Sequence, residues 1–243
     1  MLIGICILPV IPMRKSSSDQ SEMVNQILFG ETFDIIKEQS HWSYIKLKHD
    51  NYVGWIDNKQ YHKTKNHNID YKIETQLYST IIINSIQQPL VIGSLIPNNK
   101  ILVKEINMSK NINIFEKIPF EKLLIITTKK YLNTPYLWGG RTSMGIDCSG
   151  FTQMIYRQFN LNLPRDAYQQ AEIGYITQDS KIGDLAFFEK KSKINHVGII
   201  LNNKTIIHAA GKVRIDTIDS KGIFNKELNM HTHYLKYIKR ILN

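Results

Sequence analysis

The chain has 243 residues, of which 42% are hydrophobic, so it can form two or three compact domains and is too apolar to be intrinsically disordered. Its formal net charge is +10, but lysine and arginine are spread along the whole chain, without a basic stripe interleaved with aromatic residues. This distribution argues against nucleic acid as a partner, and a basic surface can equally attract acidic peptides.

The first residues, 1–8, are apolar enough to resemble a signal peptide. No basic residue precedes them, Pro9 and Pro12 follow closely, and no Ala-x-Ala site is present. We therefore expect these residues to form the first strand of a barrel and the protein to be cytoplasmic, with a secreted or periplasmic location as the alternative. No apolar stretch reaches the roughly 20 residues of a membrane span, so no membrane association is expected.

Short β-type segments separated by polar turns fill the first half of the chain, and even spacing of this kind predicts small barrels. In residues 1–62 the segments are Met23–Phe29, Thr32–Ile36, Trp42–Leu47 and Tyr52–Ile56. In residues 63–120 they are Thr80–Ile83, Leu90–Ser94 and Lys100–Val103. The polar run Tyr61–Asn68 is the predicted linker between the two barrels, on its composition.

A helix is predicted to begin at Cys148, because Phe151, Ile155 and Phe159 recur at a spacing of four residues. Asp147 is a favourable N-cap residue for this helix. The free N–H groups of a first helical turn favour a thiolate, so the sequence predicts a lowered thiol pKa and donors for an oxyanion. The alternative for Cys148 is an inert packing residue, since free cysteines are often buried.

Two histidines lie on a predicted β-hairpin, with strands at Val197–Leu201 and Thr205–Ile207 and a turn at Asn202–Asn203. In this pairing His196 and His208 fall roughly opposite each other, as cross-strand neighbours. A register change of one residue would turn either side chain to the other face of the sheet.

A thiol, a base and a third group that orients the base form the minimal set for a cysteine nucleophile, and Cys148, His196 and His208 supply it. A metal site is not expected, because two histidines and one distant cysteine lack a clear fourth ligand. The nearby His231-Thr232-His233 is interpreted as part of a solvated strand or loop for the same reason.

Several further motifs stand in order around these residues. They are Thr134–Gly140, Asp147–Phe151, Leu163–Arg165, Gly183–Phe188, His196–Ile199 and His208–Ala209. Together they closely resemble the NlpC/p60 family of papain-like cysteine peptidases, which hydrolyse peptides of the bacterial cell wall. The resemblance implies Cys148 as nucleophile, His196 as general base, His208 as the third polar residue and Tyr136 near the oxyanion, with no cofactor.

The resemblance also implies that Trp138, Asp147 and Ser149 surround the substrate, as an indole wall, a carboxylate acceptor and a hydroxyl donor. Each residue has a structural alternative: Trp138 as core, Asp147 as a helix cap only, and Ser149 as the partner of a first-turn amide. Arg165 could meet a substrate carboxylate, but we expect it to be a solvated surface residue.

The first half of the chain resembles a bacterial SH3-like domain. The residues that carry the resemblance are Gly30–Phe33, Trp42–Lys46 and Gly54–Ile56. The predicted fold is therefore an α+β papain-like catalytic domain over residues 121–243, preceded by two small all-β SH3-like barrels over 1–62 and 63–120.

This arrangement resembles the γ-D-glutamyl-L-diamino-acid endopeptidases that recycle cell-wall peptides. In that group an acidic residue and a tyrosine of the first barrel bind the free amino terminus of L-Ala. Glu31 and Tyr52 match by motif position, and Glu22 is the next candidate acid. The alternatives are a solvated turn residue for Glu31 and a barrel-rim aromatic for Tyr52.

The resemblance implies hydrolysis of L-Ala-γ-D-Glu-L-Lys, of its meso-diaminopimelate counterpart or of longer murein stem peptides, through a thioacyl intermediate. We expect a monomer, although no sequence pattern indicates the oligomeric state. The alternatives are a secreted hydrolase acting on intact wall and a wall-binding protein with a silent catalytic domain. Transfer of the acyl group to an amine is a further possibility.

Overall fold

The computed structural model describes residues 2–65, 70–98 and 118–241. Residue contacts divide them into two units. The first contains the described residues up to 98 together with the short segment Trp138–Ser143, and the second contains the remainder. The first unit is all-β and the second is α+β, so the predicted fold class is confirmed. The predicted domain boundaries remain predictions.

Seven strands form the main sheet of the first unit. They are β1 (Ile3–Cys6), β2 (Val10–Arg14), β3 (Met23–Leu28), β4 (Thr32–Glu38), β5 (Trp42–Leu47), β6 (Val53–Asp57) and β7 (Tyr61–Thr64), with a 3₁₀ turn at Asn58–Gln60. Their order in the sheet is β3-β2-β6-β5-β4-β1-β7. Buried and partly exposed residues alternate along β5, as expected for a strand with one face on a core.

The apolar N-terminal residues form β1, as predicted, and β1 pairs with β4 and β7. The predicted linker is wrong at its start, because Tyr61–Thr64 is strand β7. The Tyr61 ring is buried and packs edge-on against Phe33, with ring centroids 5.3 Å apart, which holds this segment on the sheet. The rest of the predicted linker lies mostly outside the described residues.

Four further strands of the first unit form two small antiparallel pairs. They are β8 (Tyr71–Ile73), β9 (Tyr78–Ile83), β10 (Ile86–Val91) and β11 (Leu95–Pro97), paired as β9 with β10 and β8 with β11. Asn84 and Ser85 join β9 to β10 with φ of 51° and 66°, as a tight hairpin loop requires. The predicted strand at Thr80–Ile83 is part of β9, and the one at Lys100–Val103 lies outside the described residues.

The second unit combines short helices with a second large sheet. Its elements are α1 (Phe120–Lys130), β13 (Gly145–Ile146), α2 (Cys148–Arg157), α3 (Ala167–Gln170), β14 (Tyr175–Thr177), β15 (Leu185–Lys190), β16 (Lys193–Asn202), β17 (Thr205–Ala210), β18 (Lys212–Ile218), β19 (Gly222–Asn225) and β20 (Met230–Arg240); β12 (Arg141–Thr142) precedes β13. The strand order is β14-β20-β15-β16-β17-β18-β19, and β19 also pairs with β20, so β15 to β20 close a ring.

Helix α2 packs against β16 and β17 of this sheet, which places the start of the helix beside the two strands that carry His196 and His208. Among the described residues, no helix combines the length and the apolar character that crossing a bilayer requires.

A fully buried ion pair joins Glu31 to Arg141 within the first unit. The guanidinium Nη1 and Nη2 atoms donate to the two carboxylate oxygens at 3.0 and 2.9 Å, and the backbone N–H of Leu28 donates to the same carboxylate at 2.9 Å. A bidentate pair of this kind is strong once formed, but either charge alone would be stranded in the protein interior.

We expect Arg141→Met to lower the free energy of unfolding by about 3–5 kcal/mol, because it leaves a buried carboxylate without its cation. The double variant Glu31→Leu/Arg141→Met should recover most of this loss, since both charges are gone. Equilibrium urea unfolding measures the effect.

The control for this prediction is Lys63→Met, because Lys63 pairs with Glu38 at the solvent-exposed surface. Exposed pairs contribute little, so this change should leave the unfolding midpoint unaltered. A double variant as unstable as Arg141→Met would contradict the prediction.

Candidate active site

Cys148 is the first residue of α2, and Asp147 caps the helix, its carboxylate accepting the backbone N–H of Gly150 at 2.6 Å. The predicted helix start and cap are therefore confirmed. The thiol is buried and hydrogen-bonds to the backbone of Val197, the residue that follows His196. This contact places the sulfur beside the strand that carries the first histidine.

The pKa of Cys148 is raised to about 12, chiefly by burial and next by the Asp147 carboxylate. The predicted lowering of this pKa is therefore wrong. A helix terminus stabilises a charge by about 0.3–1 kcal/mol, whereas the burial of an ionisable group can cost several kcal/mol. The resting thiol is neutral, so a base must remove its proton when it attacks.

The strands β16 and β17 form the predicted hairpin, but the register differs from the prediction by two residues. His208 lies opposite Gly198 rather than His196. Because the difference is an even number of residues, both histidines still face the same side of the sheet. A Cβ at Gly198 would lie 2.8 Å from the Cβ of His208, so the glycine leaves room for that side chain.

A chain of hydrogen bonds links the two histidines to Asp216 on β18. Nε2 of His196 lies 2.8 Å from Nδ1 of His208, and Nε2 of His208 lies 3.1 Å from the Asp216 carboxylate. A carboxylate can only accept, so Nε2 of His208 carries a proton and its Nδ1 accepts from Nε2 of His196. The free lone pair of His196 is therefore on Nδ1, which becomes the base.

Burial keeps both imidazoles of this hydrogen-bond chain neutral. Burial lowers the pKa of His196 well below 6.5, with His208 as the next cause. Burial also lowers the pKa of His208, although the hydrogen bond that His208 donates to Asp216 opposes this effect. Burial raises the pKa of Asp216, but the hydrogen bonds from His208 and Arg214 outweigh it and hold the group below its usual value. Asp216 therefore remains an acceptor.

Arg165 is buried and pairs with Asp147, donating from Nη1 at 3.0 Å to that carboxylate and at 3.0 Å to the hydroxyl of Ser149. The expected solvated position of Arg165 is wrong, because the buried Asp147 carboxylate requires a cation. Asp147 is thus both helix cap and ion-pair partner. Ser149 lies in the same cluster and is buried.

Tyr136 lies in the second unit, where its strand-like segment forms a bridge with Ile146. Burial, and next the charges of Cys148 and Asp147, raise the pKa of the phenol above its ordinary value. The hydroxyl therefore keeps its proton and is available as a hydrogen-bond donor near the nucleophile, as its predicted place near an oxyanion requires.

The candidates in the first unit occupy very different positions. Both oxygens of Glu31 are bound by Arg141 and the side chain is buried, which argues against the predicted contact with a substrate amine. Tyr52 packs against the core of the main sheet and is partly buried. Trp138 is 60% exposed, so the core alternative is wrong, and its indole N–H donates to Glu22 at 2.8 Å.

The site contains two residues for which the sequence predicted no role, Asp216 and His233. Asp216 sits on the strand after β17, diagonal to His208, and the alternation of apolar and polar residues along β18 was the available signal. His233 on β20 stacks on His196 with ring centroids 4.1 Å apart. Its predicted solvated position is wrong, and burial lowers its pKa to about 4.

A neutral thiol at a helix start, beside a His–His–Asp chain that directs one imidazole lone pair, is the arrangement of a cysteine peptidase. Comparison with known proteins agrees with this class. Residues 133–232 match the NlpC/P60 family, and residues 13–60 match the bacterial dipeptidyl-peptidase SH3 domain. The chain therefore contains an NlpC/P60 peptidase domain and an N-terminal bacterial SH3 domain, as predicted.

Three similar proteins extend over most of the chain. The γ-D-glutamyl-L-lysine dipeptidyl-peptidase of Bacillus subtilis (strain 168) is 29% identical over 232 residues, which cover 84% of this chain and 78% of the relative. An NlpC/P60 family protein from Bacillus cereus ATCC 10987 has a TM-score of 0.79 at 19% identity, covering 99% of this chain and 100% of that one. An NlpC/P60 endopeptidase from Photobacterium damselae subsp. piscicida has a TM-score of 0.71 at 18% identity, covering 97% and 70%. At these identities the two solved structures show the fold alone.

We expect Asp216→Asn to lower kcat of peptide hydrolysis by about 10²–10⁴-fold, the contribution of a correctly protonated general base. An amide in place of the carboxylate can donate to His208, which permits the opposite tautomer and removes the lone pair from Nδ1 of His196. Steady-state kinetics measure the effect, and thermal unfolding checks the fold. Asp219→Asn is the matched control, because Asp219 is an exposed acid that also pairs with a histidine, His231. Equal losses in the two variants would contradict the assignment.

The raised pKa of Cys148 predicts the pH dependence of its alkylation. A raised pKa lowers the thiolate fraction at every pH below it, so the rate constant with iodoacetamide should still rise at pH 9–10, beyond the ordinary thiol pKa of about 8.5. Labelling followed by mass spectrometry measures this rate, and Cys148→Ala gives the background from the buried Cys6. A plateau below pH 7 would contradict a neutral resting thiol.

Proposed function

We propose that the protein hydrolyses the γ-D-glutamyl-L-diamino-acid bond of cell-wall stem peptides that carry a free N-terminal L-Ala. The observation that carries the proposal is the directed chain from Asp216 through His208 to His196, which prepares a base beside the Cys148 helix. The relative named γ-D-glutamyl-L-lysine dipeptidyl-peptidase supports the bond and favours lysine as the diamino acid.

In the proposed reaction, Nδ1 of His196 takes the thiol proton as the sulfur of Cys148 attacks the γ-carbonyl carbon of D-Glu. The first-turn N–H groups of α2 and the hydroxyl of Tyr136 donate to the oxyanion. The imidazolium then protonates the leaving amine of the diamino acid, which leaves a thioacyl enzyme. A water molecule, deprotonated by His196, hydrolyses this thioester and restores the thiol.

The carboxylates of the substrate require cationic or hydrogen-bonding partners. The Arg165 guanidinium contacts both the Asp147 carboxylate and the Ser149 hydroxyl. Asp147 and Ser149 directly precede and follow Cys148 in the sequence. We propose that the Ser149 hydroxyl, held by Arg165, orients D-Glu. The Asp147 charge is already compensated, so it does not repel an anionic peptide from the nucleophile.

For the free amino terminus, we propose Glu22 in place of Glu31. The carboxylate of Glu22 is partly exposed and is hydrogen-bonded by the Trp138 indole N–H at 2.8 Å, which fixes one oxygen. A carboxylate in that setting can accept an ammonium group in exchange for its exposed partner Lys15, whereas the Glu31 oxygens are bound by Arg141. Tyr52 remains the proposed second partner of the amine.

We propose a cytoplasmic recycling role. A free-terminus peptide is the form in which wall fragments reach a recycling enzyme, whereas a secreted hydrolase would meet intact wall. The monomeric state stays a prediction.

The test compares three substrates: L-Ala-γ-D-Glu-L-Lys, its N-acetylated form and purified whole wall, with products identified by mass. We expect release of L-Ala-γ-D-Glu from the free peptide, a large loss with the blocked peptide, and no soluble product from wall. Cys148→Ala should abolish turnover. Equal cleavage of the blocked peptide, or solubilisation of wall, would overturn the proposed specificity while leaving the peptidase chemistry intact.

Glu22→Gln should raise KM for the free peptide severalfold, because the attraction between the carboxylate and the ammonium group is lost, with a smaller effect on the blocked peptide. Glu38→Gln is the matched control, since Glu38 is another partly exposed acid of the first unit that pairs with a lysine. If both variants behave alike, Glu22 does not bind the amine.

A further inference from the structure

Three histidines from three strands converge in the second unit. His196 lies on β16, His208 on β17 and His233 on β20, and one ring nitrogen of each lies within 4.8 Å of those of the other two. The His196 and His233 rings are stacked, with an interplanar angle of 28°. The proposed mechanism uses the first two histidines and gives His233 no task.

We propose that these three histidines form an inhibitory binding site for Zn²⁺ or a similar divalent transition metal. The inhibitory effect rests on the function proposed above, whereas the metal site rests on the cluster itself. Imidazole is a preferred ligand of zinc, and three protein nitrogens with an open fourth position form a complete site of the kind that also binds water. His196 and His208 are buried and His233 is partly exposed, which gives the ion a side from which to enter.

Binding of one ion requires the His233 ring to rotate out of its stack on His196, because the lone pairs of stacked rings point in nearly parallel directions. Zn–N bonds of about 2.0–2.1 Å in tetrahedral geometry place two ligand nitrogens about 3.4 Å apart. Nε2 of His196 and Nδ1 of His208 lie 2.8 Å apart, so they must separate slightly as their hydrogen bond is replaced by two metal bonds. The ligand nitrogen of His233 lies at most 4.8 Å from those of the other two histidines and must move closer to them.

The surroundings of His208 also suit a metal ligand. Its Nε2–H is donated to Asp216 at 3.1 Å, and Arg214 holds the same carboxylate at 2.8 Å. A carboxylate behind a histidine fixes its ring and makes its other nitrogen a better donor to the metal. The group that orients His208 for catalysis therefore orients it equally well for zinc.

Zinc would inhibit by changing the tautomer of His196. The ion takes the lone pair of Nε2, and the proton previously on Nε2 moves to Nδ1, so the ring stays neutral and no proton is lost. The Nδ1 atom then has no lone pair for the thiol of Cys148. Zinc and the catalytic hydrogen bond thus compete for the same two nitrogens.

The test uses the full chain carrying Cys148→Ala, so that the thiol cannot act as a ligand, and titrates it with Zn²⁺ against a chromophoric chelator. We expect one equivalent of bound zinc, with three imidazole nitrogens at about 2.0–2.1 Å by X-ray absorption. Adding His233→Asn should weaken binding at least tenfold. His233→Phe keeps the ring stacked on His196 but lacks a ligand nitrogen, so it should weaken binding equally and shows that the loss does not come from misfolding.

His231→Asn is the matched control, because His231 lies on the same strand two residues away and pairs with Asp219. It should bind zinc like the parent. Equal affinity in the parent and both His233 variants would overturn the site.

Turnover of the free peptide by the wild-type chain gives the second readout. Half-inhibition should occur at the free zinc concentration that half-saturates the Cys148→Ala protein, and a chelator should restore activity. Zinc binding without loss of turnover would overturn the inhibition. A chain that binds zinc at the three histidines but cleaves no peptide in metal-free buffer would refute the proposed function and leave the metal site standing.

Discussion

The hydrogen bond between His208 and Asp216 determines which ring nitrogen carries the proton in both catalytic histidines. A carboxylate accepts and never donates when ionised, so a single acceptor on β18 decides which nitrogen of each imidazole carries hydrogen. Neither histidine could make this choice alone, because a neutral imidazole is equally able to donate from either side. Because β16, β17 and β18 are neighbours in the sheet, Asp216 lies where it can accept the last hydrogen bond of the series from His196 through His208.

Burial determines how the chemistry must proceed. The thiol, both imidazoles and the helix cap are all removed from water, so a resting thiolate–imidazolium pair would lack solvation. The same burial makes each fixed dipole and hydrogen bond more effective once charge develops during the reaction. Charges that are permanent are paired instead, as Arg165 does for Asp147.

The features that could be predicted from the sequence are the secondary-structure elements that depend on neighbouring residues. The helix at Cys148 follows from apolar spacing and an N-cap residue, and the hairpin of His196 and His208 follows from two β-rich runs around a turn. The exact register could not be predicted, because the turn lies at Asn203–Lys204, one residue later than predicted, and a bulge between Ile200 and Asn202 shifts the pairing by one residue. The motifs of the family carried the assignment of nucleophile and base.

Contacts between residues that are far apart in the sequence could not be predicted from such local patterns. Arg165 lies 18 residues from Asp147, and Arg141 lies 110 residues from Glu31, so no periodicity indicates either pair. A charged residue in an unknown fold is expected at the surface, and only the tertiary structure shows that it is buried with a partner. His233 was misplaced for the same reason, since β20 reaches His196 only when the ring of strands is closed.

The ion pair of Glu31 with Arg141 also bears on how such proteins can evolve. The stretch that matches the peptidase family runs from residue 133 to 232 and so includes Arg141, yet the contacts of Trp138–Ser143 belong to the all-β unit. If this peptidase domain were joined to a different first domain, Arg141 would lack its carboxylate partner. Glu31 of the original first domain would then be buried without its cation. Positions 31 and 141 can therefore change only together, although one lies in the stretch that matches the SH3 domain and the other in the stretch that matches the peptidase family.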